Sequence, residues 1–452
     1  MMRAFFKAAA VSVFALAAAL PAGAESLADA LVAAYKTSKV LDQNEALLRA
    51  ADEDVAGSVA ALRPVISFVA RSQYNDPQVS TAGNLQRSYS LVAQWTLLDF
   101  GRRKLGVEIA KETVLATREA LRGLESRVLL QAVDAYVNVR LQSEIVALRQ
   151  SNVRLIGEEL KAAKDRFDVG EVTRTDVALA EARLASAQSG LVAAQGDLTT
   201  ARERYKAMTG AYPGRLSTLP KLPATARTLD AARTQALASH PQIAQAQRQV
   251  TVADLGLQIA RASRMPTLTA EAGLSRTANA DDTGKSLSLT LNQPLYTGGA
   301  IASGERAALA NKEAAQAALA QVGIDVAENV GNAWSAVDVA SASITAGSQQ
   351  VAAAQAAFDG VREEADLGAR TTLDVLDAEQ ELLDARAQKL TAEAQRYVGV
   401  YNLLSAMGLL SVEHLGLDVP VYDPAAYYNA VKSAPISAQG KALDRIMGRT
   451  GN

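Results

Sequence analysis

The chain has 452 residues, a formal net charge of −2 and no cysteine. Lysine and arginine are spread along it rather than massed, which argues against a nucleic-acid partner. Without disulfides, a chain that leaves the cytoplasm must hold together by packing or association, and the alanine-rich, aromatic-poor composition (5% aromatic) suits thin, close-packed helices.

Residues 1–24 read as a signal peptide. Arg3 and Lys7 form the basic region, Ala8 to Leu20 the apolar region, and Ala22-Gly23-Ala24 the cleavage site. The apolar region is too short to span a bilayer as a helix, and nothing downstream is apolar enough to do so. Any membrane this protein occupies is not crossed by helices. There is no cysteine to carry a lipid anchor.

From Glu25 onward the chain is written twice. A shift of 202 places Leu27 on Leu229, Ala30 on Ala232 and Pro64 on Pro266. Beyond the strands the shift is 198, placing Gly101 on Gly299, Gly170 on Gly368, Thr173 on Thr371, Asp176 on Asp374 and Glu181 on Glu379. The period is too long for a solenoid, so each copy builds half of one object. The first repeat is residues 25–212, the second 228–410, with a proline-rich linker at 213–227. Residues 411–452 form a C-terminal segment ending in a disordered tail from Lys432.

In chain order, the first repeat opens with a helix at about Leu27–Leu62. The period then changes to two, and residues 64–100 hold two strands of about ten residues. Ile66, Phe68, Ala70 and Tyr74 share one face of the first; Tyr89, Leu91, Ala93, Trp95 and Leu97 share one face of the second. A proline-free helix over 101–168 follows, 68 residues and so roughly 100 Å long, far beyond an ordinary globular helix. A tip at 169–175 and a helix at 176–209 complete the copy. The second repeat runs likewise: a helix at about Leu229–Arg264, two strands within 266–298, a long helix over 299–366, a tip at 367–373 and a helix over 374–408. Leu268, Ala270, Ala272 and Leu274 line one strand face, and Leu287, Leu289 and Leu291 another. Strands of about ten residues with one apolar and one polar face are the pattern of transmembrane β-barrels. Four cannot close a barrel alone, and open edges are excluded from lipid. The barrel must therefore be shared between subunits.

At the tips, Gly170 and Gly368 read as left-handed helix C-caps. Thr173-x-x-Asp176 and Thr371-x-x-Asp374 read as capping boxes for the helices that follow. The two histidines, His240 and His414, do not make a zinc site in a cysteine-free chain, and His240-Pro241 reads as a turn. Asp99-Phe100-Gly101 is a strand-to-helix turn. No nucleophile–base pair stands out, so neither an enzyme nor a cofactor is expected.

The tip segments Phe167–Val177 and Leu367–Ala378, with Gln293-Pro294-Leu295-Tyr296-Thr297-Gly298-Gly299, resemble those of the TolC family of outer-membrane efflux and secretion channels. The likeness covers about Glu25 to Leu417. Tyr422-Asp423-Pro424 with Tyr427-Tyr428 resembles secretion-type members. The resemblance implies an α+β fold: long helical hairpins forming a periplasmic α-barrel, and four transmembrane strands per chain. It implies a homotrimer with a 12-stranded β-barrel in outer-membrane lipid. Its partners would be a periplasmic adaptor (membrane fusion) protein and an inner-membrane transporter of the ABC or RND (resistance-nodulation-division) type. The linker and the segment after Leu409 would form a belt around the tunnel. Asp374 and Asp377, on one helical face, would form the channel constriction. Arg370 would tether the second tip to Thr175 and Asp176 at the first. The family's tyrosine three residues before the second tip glycine is replaced here by Ala365, so one closing tether is expected to be missing. The alternative is a non-channel periplasmic coiled-coil adaptor or structural protein, which would lack four amphipathic strands.

Overall fold

The computed structural model describes residues 24–74, 85–277, 283–420 and 422–432. The expected signal peptide up to residue 23, most of both hairpin loops and the tail beyond Lys432 lie outside the described residues. The elements are α1 (Leu27–Thr37), α2 (Lys39–Ala60), β1 (Val65–Tyr74), β2 (Leu85–Leu98), α3 (Arg102–Asp168) and α4 (Arg174–Thr209) in the first half. The second half holds α5 (Leu229–Ser239), α6 (Pro241–Ala262), β3 (Thr267–Thr277), β4 (Thr283–Asn292), α7 (Ala300–Asp366) and α8 (Thr372–Ala406). A short α9 (Pro424–Val431) follows. Among the described residues no helix is long and apolar enough to cross a membrane.

The first helix of each copy is broken. Ser38 caps α2 through its hydroxyl, which accepts from the Leu41 amide. Its repeat equivalent, His240, caps α6 with Pro241 at the first helical position, where a missing N–H costs nothing. The single helix expected over Leu27–Leu62 is thus two.

The four strands form one antiparallel sheet in the order β1-β2-β3-β4. Its register aligns the apolar positions across all four strands. Ile66 faces Ala93, Ala93 faces Ala272, and Ala272 faces Leu287. In the neighbouring rows Phe68 faces Leu91 and Leu91 faces Leu274, while Trp95 faces Ala270 and Ala270 faces Leu289. The other face carries Ser67, Gly273, Ser286, Gln94, Glu271, Ser288 and Thr290. Nothing among the described residues covers the apolar face: Leu287 is 80% exposed, Ile66 69% and Phe68 67%. β1 and β4 each have an unpaired edge.

Each strand is joined at its helix end to one helix. At one junction Phe100 and Gly101 take left-handed φ of 54° and 84°. Arg103 holds that elbow, bonding Asp99 at 2.7 Å and the Ala61 carbonyl at 2.9 Å. Trp95 Nε1 donates to the Leu62 carbonyl at 3.1 Å. In one stretch the helices pack side by side as α2, α3, α6 and α7; in the other, as α4, α3, α8 and α7. α3 and α7 run through both stretches. α3 is inside each row and buries seventeen residues, whereas α7 is terminal in each and buries six.

The largest core lies midway along α3. Leu129 to Val146 pack against α1, the end of α4 and the end of α8. Segments 213–222 and 409–419 wrap it, contributing Leu216, Leu219, Leu222, Leu415, Leu417 and Val419. Polar bonds fix the wrap. Tyr136 donates to the Glu25 carbonyl at 3.0 Å, Tyr205 to the Glu25 carboxylate, and Tyr397 to the Pro220 carbonyl at 3.1 Å.

Gly408 ends α8 with φ of +71°, and a Cβ there would lie 3.0 Å from both His240 Cα and Pro241 Cδ. Gly170 has φ of +82° with open space around it. Gly170→Ala should cost only the left-handed penalty, roughly 1–2 kcal/mol. Gly408→Ala must also displace backbone, and should cost at least about 2 kcal/mol more. Thermal unfolding of the two variants side by side checks the ranking.

Candidate functional site: the hairpin tips

Both tips are built the same way. Gly170 and Gly368 turn the chain at φ of 82° and 79°, a conformation that a Cβ opposes. Thr173 then caps α4: its amide and hydroxyl donate to Asp176 Oδ2 at 2.8 Å each, and the Asp176 amide returns a bond to Thr173 Oγ1 at 3.3 Å. Thr371 does the same for α8 with Asp374, at 2.9, 2.8 and 3.3 Å. Bonds from the threonine amide and hydroxyl hold both aspartates below the usual carboxylate range, so each stays ionised at a helix N-terminus, where negative charge is favoured.

Among the described residues of this one chain, Arg370 is bonded elsewhere than at Thr175 and Asp176, the contact expected of it. Its Nε donates to Glu364 Oε2 at 2.7 Å, within its own hairpin. The turn at Gly368 brings the end of α7 alongside Arg370, so the nearest carboxylate is local. Asp377 has a partner that the sequence did not announce. Its carboxylate is not free beside Asp374 but is paired with Arg183 on α4.

The two hairpins, α3/α4 and α7/α8, are instead joined by residues that sequence reasoning did not single out. Arg166 Nη2 lies 3.1 Å from Asp366, and Arg362 Nε lies 3.8 Å from Glu159. Arg183–Asp377 is a third link. The fourth is buried: Asn152 Nδ2 donates to Glu379 Oε1 at 2.7 Å, while Glu379 Oε2 has no partner. Burial pushes the Glu379 carboxyl up to about 7, despite the Asn152 bond.

The repeat shows how this buried link arose. In the first hairpin Lys164 and Glu181 form an exposed pair at 2.8 Å. Shifted by 198 these become Arg362 and Glu379, which part company: Arg362 turns to Glu159 and Glu379 to Asn152. A bond within one hairpin has become two bonds between hairpins. The signal was in the sequence, since Glu181 and Glu379 align, but only the packing reveals that one is solvated and the other buried.

An amphipathic four-stranded sheet continuous with helices of 67 residues, closing at charged hairpin tips, defines an outer-membrane duct. The family model for outer membrane efflux proteins matches residues 30–211 and 232–409, one segment in each copy. Over 422 residues the chain is 36% identical to the outer membrane efflux protein BepC of Brucella suis biovar 1, covering 90% of this chain and 91% of that one. It is 27% identical to the outer membrane protein TolC of Vibrio cholerae, covering 86% and 92%. The fold matches the outer-membrane channel OprN with a TM-score of 0.74 at 24% identity, over 84% of this chain and 89% of that one. The chain belongs to the outer membrane efflux protein family, the family of TolC, whose members are export ducts of the outer membrane rather than enzymes.

A carboxyl buried as Glu379 is should make the packing of the tip pH-dependent. Its folded value, about 7, lies above the ordinary 4.5. The protonated form therefore stabilises the packed tip fully below about pH 4.5. That contribution is lost as pH rises toward 7, up to roughly 3 kcal/mol per chain. Deuterium uptake across residues 367–383, normalised to the intrinsic exchange rate at each pH, should increase from pH 5 to pH 8 in the natural protein. In Glu379→Gln it should stay flat over the same range.

Proposed function

We propose that three copies of this chain close head to tail into a 12-stranded barrel, continued by a helical tunnel, and serve as the exit duct of a tripartite export system. The sheet carries this reading. It has an uncovered apolar face for lipid and two open edges, and unpaired backbone groups in lipid cost several kcal/mol each. A head-to-tail contact of β4 with β1 of the next copy satisfies both edges and generates a ring. Four strands per copy are too few to close alone, and the family resemblance supports three. α7, terminal in its row, would pack against α2 and α4 of the next copy.

The partners that fit are an adaptor protein in the periplasm and an inner-membrane transporter of the ABC or RND type, engaging the tunnel at or near its tips. The division into repeats at 25–212 and 228–410 gives each chain two hairpins for that tunnel. Asp374 and Asp377 form the constriction. With Arg183 on Asp377, the closed tip presents Asp374, beside Arg370, as the ring carboxylate that the other hairpin does not engage. Parting the hairpins removes Arg183 and adds the second ring.

The assembly test is mass: purified protein in detergent should run near three chains, and a monomer that conducts in bilayers would overturn the ring. For the constriction, Asp374→Ala with Asp377→Ala should weaken cation selectivity and relieve block by multivalent cations added on the tip side. Asp374→Ala alone should account for most of the change in the closed state.

For the gate, exposed ion pairs contribute at most about 1 kcal/mol, whereas a buried bond to a charged group contributes about 1.5–3. Asn152→Ala should therefore raise resting single-channel conductance more than Arg183→Ala. Arg370→Ser, which tests the tether to Thr175 and Asp176, should raise it least. An Arg370→Ser channel more open than Asn152→Ala would restore Arg370 as the principal tether.

A further inference from the structure

The apolar face of the sheet ends differently at its two ends. At the helix end three cations are paired with carboxylates: Arg103 with Asp99, and Arg261 and Arg264 with Glu305. At the hairpin end three cations stand on the apolar face itself: Arg87 on β2, Arg276 on β3 and Lys285 on β4. All three are exposed, and none has an ion pair among the described residues.

The register sets them on a diagonal. Lys285 lies opposite Leu274, Arg276 opposite Tyr89, and Arg87 opposite Ser72. Each is therefore the diagonal neighbour of the next, about 7–8 Å apart along the sheet surface. Their long side chains can converge on a group lying between them. Toward the middle of the sheet, Tyr89 stacks on Phe68 with centroids 6.4 Å apart and planes 13° apart. Below that stack the face is Leu91, Leu274, Ala93, Ala272 and Leu287. By register Lys285 lies level with Leu274 and Leu91, Arg276 level with Tyr89, and Arg87 one step further out, so the basic diagonal crosses the outer end of the apolar face.

We propose that Arg87, Arg276 and Lys285 form a binding site for the headgroup phosphates of the outer-leaflet glycolipid. This inference rests on the sheet being embedded in the outer membrane. The hairpin end is remote from the periplasmic helices, so the basic diagonal lies toward the outer leaflet. The aliphatic rows take acyl chains and the aromatic row sits at the headgroup boundary. Cations facing lipid at that height require anionic partners, and a phosphorylated sugar headgroup presents them at the same level. Arg71 is a built-in control, because its pairing with Ser88 puts it on the opposite, polar face.

The test uses full-length protein in detergent with fluorescently labelled deep-rough lipopolysaccharide, intact or enzymatically dephosphorylated. The triple variant Arg87→Gln, Arg276→Gln, Lys285→Gln should bind the intact lipid at least about tenfold more weakly. Arg71→Gln should bind it as the natural protein does. Dephosphorylation should weaken binding to the natural protein by a similar factor. If the triple variant assembles poorly, the dephosphorylated lipid decides the matter with the natural protein alone. Equal binding of intact and dephosphorylated lipid, or undiminished binding by an assembled triple variant, overturns the proposal. Conductance in bilayers of phosphatidylethanolamine and phosphatidylglycerol separates the two readings. A natural protein that conducts there but ignores phosphate loses only the glycolipid site, whereas one that never inserts loses the membrane assignment too.

Discussion

Backbone hydrogen bonding is the constraint on which the rest depends. A strand in hydrocarbon has no water to satisfy its N–H and C=O groups, and this sheet has a bare strand on each side. The proposed closure with other copies meets that requirement, and in such a ring the helical layer inherits its geometry. Every strand is continuous with one helix at its inner end, so the number of strands around the barrel equals the number of helices around the tunnel. The left-handed elbow at Phe100-Gly101 and its counterpart at Gly298-Gly299 convert one layer into the other without an intervening domain. The duct stays continuous because the chain does.

Duplication supplies two equivalent hairpins per chain, and function requires that they not remain equivalent. The capping boxes at Thr173 and Thr371 are alike in every bond, because both must begin a helix. The residues behind them have diverged. Lys164–Glu181 remains a solvated pair, while Arg362 and Glu379 have each found partners on α3. A buried carboxylate with one free oxygen is a poor device for stability alone. It suits a joint that must hold and yet let go.

Local features were legible in the sequence. The period-two runs became β1 to β4, the proline-free zones became α3 and α7, and the tip glycines took the left-handed φ expected of them. The linker was visible from its prolines, but that it packs together with the segment after Leu409 was implied by the family resemblance alone. The break at Ser38 was missed, although its repeat equivalent His240-Pro241 announced a turn, because a serine cap is a weaker signal than a proline. Partners across hairpins were not legible. Whether Arg370 reaches Glu364 or Asp176, and whether Asp377 meets Arg183, depends on the rotation of four helices about their axes. That rotation is set by small residues packed along the whole rod, not by the residues that make the bond. The same distance from local pattern hid Asn152, which reads as an ordinary polar position on a long helix.

The sparse burial of α7 has a consequence for the protein's life in a cell. A 67-residue helix with six buried residues is not complete within its own chain. Its missing cover, in the proposed ring, is another copy. Folding of this element is then governed by mass action, and the stability of one chain cannot be separated from the concentration of its fellows. A defect on the open flank of α7 would not stay with the chain that bears it. Incorporated into a mixed ring it would spoil the neighbour it should have completed, so such alleles would behave as dominant even beside a normal copy of the gene.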